Sequence, residues 1–158
     1  MRRLRVRGDE GGSLVEMAMI MPVLLLTITG ILTFGVTMNS ALELTNGVAV
    51  GAQYIGSARA MGISDPCKST AALIASVAPL PASNTINLTF KIYTDTTTSY
   101  TYGPNTVANS TCTAGAAYLT EGYNIVITAT SPCTVAVYGN SNILPGCELP
   151  ASITVRSQ

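Results

Sequence analysis

From Met17 to Leu42 the chain carries no charged residue, and its centre, Met17–Phe34, is apolar apart from threonines that a helix can tie back to its own carbonyls. At about 1.5 Å of rise per residue, about 20 such residues cross a hydrocarbon core of about 30 Å, so the run predicts a membrane-spanning helix. Pro22 removes one helical hydrogen bond, but it stands close to the predicted helix start, where a bend is tolerated. Beyond the run, Leu44, Val48, Ala52, Ile55 and Ala58 recur at helical spacing, with Asn46, Gln53 and Ser57 elsewhere on the wheel. This pattern extends the helix out of the membrane to about Met61. Gly47, Gly51, Gly56 and Gly62 interrupt it, each lowering helix propensity by about 1 kcal/mol relative to Ala. Close packing offsets that penalty, and the Gly47-x-x-x-Gly51 spacing predicts a close approach of the chain's own sheet.

Asp65-Pro66-Cys67 ends the long helix, and Lys68–Val77 reads as a short helix closed by Pro79 and Pro81. The period then changes. Ile86, Leu88, Phe90 and Ile92 alternate with Asn87, Thr89 and Lys91, the pattern of a half-buried strand. Residues 123–130 (YNIVITAT), 134–138 and 152–156 are further β-branched runs separated by Gly, Pro and Asn, which predicts a small antiparallel sheet. The Thr/Ser/Asn/Gly-rich stretch 95–115, with Tyr100 and Tyr102 inside it, reads as a loop or edge hairpin pinned by Cys112. The fold class is α+β: a long N-terminal transmembrane-plus-periplasmic helix packed on a small antiparallel sheet. Its parts are a basic leader at 1–11, a transmembrane helix at 12–38 and an exported domain at 39–158.

Charge adds a direction. Arg2, Arg3, Arg5 and Arg7 precede the apolar run and almost no positive charge follows it closely, so the N-terminus is expected in the cytoplasm and the bulk of the chain outside. A cleaved secretory signal also has a basic start and small residues such as Ser40 and Ala41 at its end. Its apolar region, however, is normally about 7–15 residues, and Glu16 at the head of this run fits it poorly. Beyond the leader only Arg59, Lys68, Lys91 and Arg156 are basic, which argues against nucleic-acid binding.

Cys67, Cys112, Cys133 and Cys147 all follow the apolar run, an even number that points to two disulfides in an oxidising compartment. A zinc site would need close cysteine pairs or histidine partners, and the chain has no histidine. Three connectivities are open. Cys133 and Cys147 flank one strand and its return, which favours joining them and leaves Cys67 with Cys112. Each bridge is expected to contribute about 2–4 kcal/mol to a core thin in aromatics. Beyond Glu43 the carboxylates are Asp65, Asp95, Glu121 and Glu148, in no catalytic spacing, and there is no phosphate loop, nucleophile elbow or metal motif. The chain reads as non-enzymatic and without a cofactor. Arg7-Gly8-Asp9 lies in the leader, out of reach of any receptor outside the cell. Asn87-Leu88-Thr89 and Asn109-Ser110-Thr111 match a glycosylation pattern that arises readily by chance, and at most mark exposed polar positions.

The junction carries more information. Residues 7–17 (RGDEGGSLVEM) run from a glycine-containing stretch into an apolar helix headed by one carboxylate. Ser13-Leu14-Val15-Glu16 is an S-x-x-E capping box, with Ser13 closing the first turn and Glu16 at the positive end of the helix dipole. A carboxylate at the edge of hydrocarbon is otherwise costly unless paired. The junction resembles the class III signal of type IV pilins, with a basic leader, a glycine before the scissile bond and a glutamate at the fifth mature position. More narrowly, Val15, Glu16, Ala18, Pro22, Leu24, Leu25, Gly30 and Ile31 resemble the opening of TadE-like proteins, minor pilins of the tight-adherence (Flp) pilus system. Met17 departs from the tyrosine that often follows the glutamate in Flp-type signals. The terminal run 151–156, ending on Arg156, is a weaker likeness.

The resemblance implies processing by a prepilin peptidase between Gly11 and Gly12. It also implies that Glu16 pairs with the new α-amino group of Gly12, on its own or a neighbouring subunit, to set register. It implies a single-pass protein of the bacterial inner membrane whose partners are other pilin subunits and the pilus assembly machinery, supporting surface attachment. A reading from another class is a membrane-anchored surface or periplasmic module that keeps its leader, stays out of the filament and binds a partner through its Thr/Tyr-rich loops.

Overall fold

A computed structural model of the chain describes residues 10–78, 86–112, 117–133 and 146–158. The arginines of the leader, Pro79, Pro81 and the expected strand at 134–138 lie outside the described residues. The elements are α1 (Glu10–Ser57), α2 (Pro66–Val77), β1 (Asn87–Tyr93), β2 (Ser99–Thr106), a 3-10 turn at Val107–Asn109, β3 (Asn124–Pro132) and β4 (Glu148–Arg156). The class is α+β, with one long apolar helix, a four-stranded antiparallel sheet and two disulfides.

Regular α1 ends at Ser57, short of the expected Met61. The carbonyl of Gly56 accepts from the backbone N–H of Gln158 at 2.9 Å, so the end of the sheet takes a bond that a continuing helix would use. Residues 58–62 then turn, with Gly62 N–H donating to the Arg59 carbonyl at 3.1 Å and Ile63 N–H to that of Ala58 at 3.3 Å. This is the Schellman pattern, and it places Gly62 at φ +66, where a glycine has no Cβ to strain. α2 begins two residues ahead of expectation because Pro66 suits the first helical position, which has no use for an N–H. Asp65 Oδ1 caps the helix by accepting from Lys68 N–H at 3.1 Å.

The strand order is β2-β1-β3-β4. Leu88, Phe90 and Ile92 of β1 stand opposite Ala129, Ile127 and Ile125 of β3, and all are buried on one face. The stretch 95–115 contributes the edge strand β2, whose Tyr102 and Tyr100 oppose Phe90 and Ile92. The β1–β2 register shifts between Leu88 and Phe90, beside Gly103 at φ +112, where a Cβ would collide with the Leu88 carbonyl. Pro104 follows, a residue without an N–H that sheets accept in an edge strand such as β2.

From Leu44 onward α1 lies on β3, β4 and α2, burying Leu44, Val48, Ala52 and Ile55. The expectation that Gly47 and Gly51 admit the sheet is corrected: they admit α2. A Cβ on Gly47 would stand 3.0 Å from Ala78 Cβ, and one on Gly51 2.6 Å from Ile74 Cγ1. The sheet is met one turn later, where a Cβ on Gly56 would lie 3.2 Å from the Arg156 carbonyl oxygen and 3.1 Å from Val155 Cγ2. The reason is layering. α2 docks on one flank of α1 and the sheet on another, so glycines about one turn apart serve different neighbours.

Candidate functional site

The N-terminal part of α1 makes none of these contacts. Met19, Leu26 and Ile31 are more than 70 % exposed, and large apolar side chains stay exposed from Leu14 to Leu42. The helix is long and apolar enough to cross a membrane. Its hydroxyls are turned back on the backbone: Thr29 donates to the Leu25 carbonyl at 2.6 Å, Thr33 to that of Thr29 at 2.7 Å and Thr37 to that of Thr33 at 3.0 Å. Such bonding satisfies polar groups where no water is present. Ala18, Met21, Pro22, Leu25, Leu26, Thr29 and Gly30 line an open apolar groove of about 590 Å³. A Cβ on Gly30 or Gly35 would meet nothing within 4 Å, unlike one on Gly47, Gly51 or Gly56.

Gly11 and Gly12 both lie in the first turn of α1. The capping box expected of Ser13 and Glu16 does not form at the head of this helix, because α1 already begins at Glu10 and Ser13 therefore sits inside it. Glu16 lies on the exposed part, one turn before Ile20.

The cysteines lie well away from this region, in the sheet domain. Cys67 is bonded to Cys112 and Cys133 to Cys147, each with Cα atoms 5.4 Å apart. The first bridge is buried and fixes the start of α2 to the chain beyond β2. Asp65 Oδ1 serves both sides of it, accepting from Cys112 N–H at 3.0 Å as well as capping α2. The second bridge joins the adjoining ends of β3 and β4, where Cys133 N–H also donates to the Cys147 carbonyl at 3.1 Å. Among the described residues no cluster of His, Cys, Asp and Glu is placed to hold a metal ion.

One feature escaped the sequence reading. At the end of the sheet where β1, β3 and β4 meet, Tyr93, Asp95, Thr96, Tyr123, Asn124 and Arg156 surround a polar cleft of about 480 Å³. These residues are spread from Tyr93 to Arg156 and meet only through strand register, so no local motif announces them. Asp95 heads the β1–β2 turn. Backbone N–H groups of Thr98 and Thr97 aimed at its Oδ1, with their hydroxyls, hold its carboxyl well below the usual carboxylate range. Further along β2, Tyr100 stacks on Tyr118 at 4.0 Å, and desolvation, then the neighbouring Tyr118 and Tyr100, raise the Tyr102 hydroxyl above its ordinary value.

Against known proteins, residues 11–53 match the family model described as TadE, TadE-like protein. The matched segment runs from the junction through the exposed part of α1 to Gln53, and it contains all eight residues, Val15 to Ile31, that carry the resemblance. No curated protein and no solved structure matches the chain.

Proposed function

Proceeding from an N-terminal segment that is TadE-like, we propose that this chain is a minor pilin or pseudopilin of a tight-adherence (Flp) pilus, a structural component supporting surface attachment. The observation that carries the reading is the contrast between the matched helix up to Leu42, whose large apolar side chains are left exposed among the described residues, and a domain that is already closed around its own core. In this reading residues 12–38 hold the subunit in the bacterial inner membrane before assembly, the leader 1–11 faces the cytoplasm and 39–158 stands outside. The same helix then packs among other pilin subunits in the filament. Without water between helices, close van der Waals packing drives that association, and Gly30 and Gly35 leave room for it.

Cleavage after Gly11 by a prepilin peptidase would leave Gly12 alone ahead of Ser13. Ser13 could then take the N-cap position of the mature helix, and Glu16 would lie one turn from a new α-amino group. The pair offsets the cost of a carboxylate at the hydrocarbon edge and sets axial register between subunits.

N-terminal sequencing with intact mass, in cells with and without the prepilin peptidase, tests this. The expected result is a mature start at Gly12 that depends on the enzyme. A retained Met1 and absence from sheared pili would instead support the membrane-anchored module, and a start near residue 42 would overturn the membrane reading.

A further inference from the structure

The cleft at the sheet end lies at the pole of the domain remote from the exposed helix. α1 enters the domain at Leu44 and reaches this pole at Gly56, beside Arg156, while the Cys133–Cys147 bridge marks the opposite end of β3 and β4. The cleft floor is a row across the outward face of the sheet. Asn124 and Arg156 are register partners, Tyr93 follows the Ile92–Ile125 pair by one residue, and Ser99 stands opposite Tyr93. The β1–β2 turn and the Gly122–Tyr123 turn form its walls.

Two of its groups are held by the turns: Arg156 Nε donates to the Gly122 carbonyl at 2.8 Å, and Asp95 Oδ1 takes the turn N–H groups. On the same face of β1, Lys91 Nζ lies 5.0 Å from the centre of the Tyr93 ring, which leaves the Tyr123 ring as the uncovered one of the two. Among the described residues the ion pair is Arg59–Glu121, and Asp95 and Arg156 are not joined to each other. The cleft therefore presents one fixed acceptor, one fixed donor and an amide that does both, beside two aromatic rings, and the charges of its lining residues balance. A multiply charged anion gains little there, since the Asp95 carboxylate opposes Arg156. A strongly apolar ligand would strand the polar groups. A pyranose suits it, because its C–H face lies on a ring while its flanking hydroxyls both donate and accept. The volume falls within the usual range for small-molecule sites, about 300–1,000 Å³.

We propose that the cleft bounded by Tyr93, Asp95, Tyr123, Asn124 and Arg156 is a binding site for neutral saccharides at the membrane-remote tip of the domain. The proposal does not depend on whether the chain enters a filament. The full chain in lipid nanodiscs is titrated with cellotriose, chitotriose and trigalacturonate by saturation-transfer difference NMR. Saturable binding of at least one neutral trisaccharide is expected, weakened about tenfold or more in both Asn124→Ala and Asp95→Asn. Thr154→Ala, on the same sheet face but outside the cleft, is expected to bind as the parent does. Each variant is first shown to retain both disulfides and the parental near-ultraviolet tyrosine spectrum. No saturable binding, binding of trigalacturonate alone, or undiminished binding in Asn124→Ala would overturn the assignment.

Discussion

The two parts of α1, before and after Leu42, use glycine in the same helix and put it to different ends. Both are apolar, both carry glycines and hydroxyls, and both form one unbroken helix. After Leu42 each glycine of the helix has a stated neighbour: Gly47 and Gly51 admit α2, and Gly56 admits β4. Before Leu42, Gly30 and Gly35 admit nothing, and among the described residues no core takes up the large side chains around them. The presence of glycines and hydroxyls thus does not separate a helix segment that folds a domain from one that waits for lipid or another chain. The separation lies in whether the rest of the chain supplies a complementary surface.

The largest test of that contrast is truncation of a side chain in each half. Ile55→Ala, emptying a fully buried site, is expected to lower the thermal stability of the domain by about 2–5 kcal/mol. Ile28→Ala, 46 % exposed, is expected to change it by less than about 0.5 kcal/mol. Equal losses in detergent-held full chain, followed by near-ultraviolet circular dichroism, would break the comparison.

A smaller effect comes from adding a methyl group. Gly51→Ala forces Ile74 and Thr70 to yield and is expected to lose about 1–3 kcal/mol. Gly30→Ala meets open space and is expected to leave the melting transition in place, even gaining up to about 1 kcal/mol of helix propensity. In the filament reading the order reverses for assembly: Gly30→Ala reduces the amount of the chain in sheared pili although its domain is intact. A Gly30→Ala chain that assembles normally would remove Gly30 from the packing argument.

The smallest effect probes the pole farthest from the exposed helix. Because the folded Asp95 carboxyl sits below its unfolded value, the unfolded chain takes up the proton first as pH falls. The stability it lends is full at neutral pH and declines once pH drops below the ordinary value of 3.8. Melting curves of the parent and Asp95→Asn between pH 6 and about pH 2 are expected to differ most at the neutral end and to converge in acid. A difference that stays constant with pH would show that the carboxylate charge plays no part in holding the turn.

Much of this architecture was legible along the chain because burial there is periodic. The 3.6-residue spacing of Leu44, Val48, Ala52 and Ile55 and the alternation from Leu88 to Ile92 each report, one element at a time, which face will be covered. The TadE-like likeness of residues 11–53 was readable for a different reason: it is carried by residues close together in the chain, Val15 to Ile31, and needs no tertiary contact to be seen. The capping box was misplaced because a box of four residues defines a possible helix start without excluding an earlier one, and α1 begins at Glu10.

What the sequence by itself determined is therefore the two helices, the central strands and their apolar faces, since each depends on neighbours within a few residues. Only the tertiary structure decided which partner Gly51 meets, where α1 stops, how the four cysteines join and that Tyr93, Asn124 and Arg156 share one row. Those outcomes depend on register and docking between segments tens of residues apart. There a shift of one residue would turn every side chain of a strand to its other face, and no local spacing records which alignment buries the most surface with its hydrogen bonds complete.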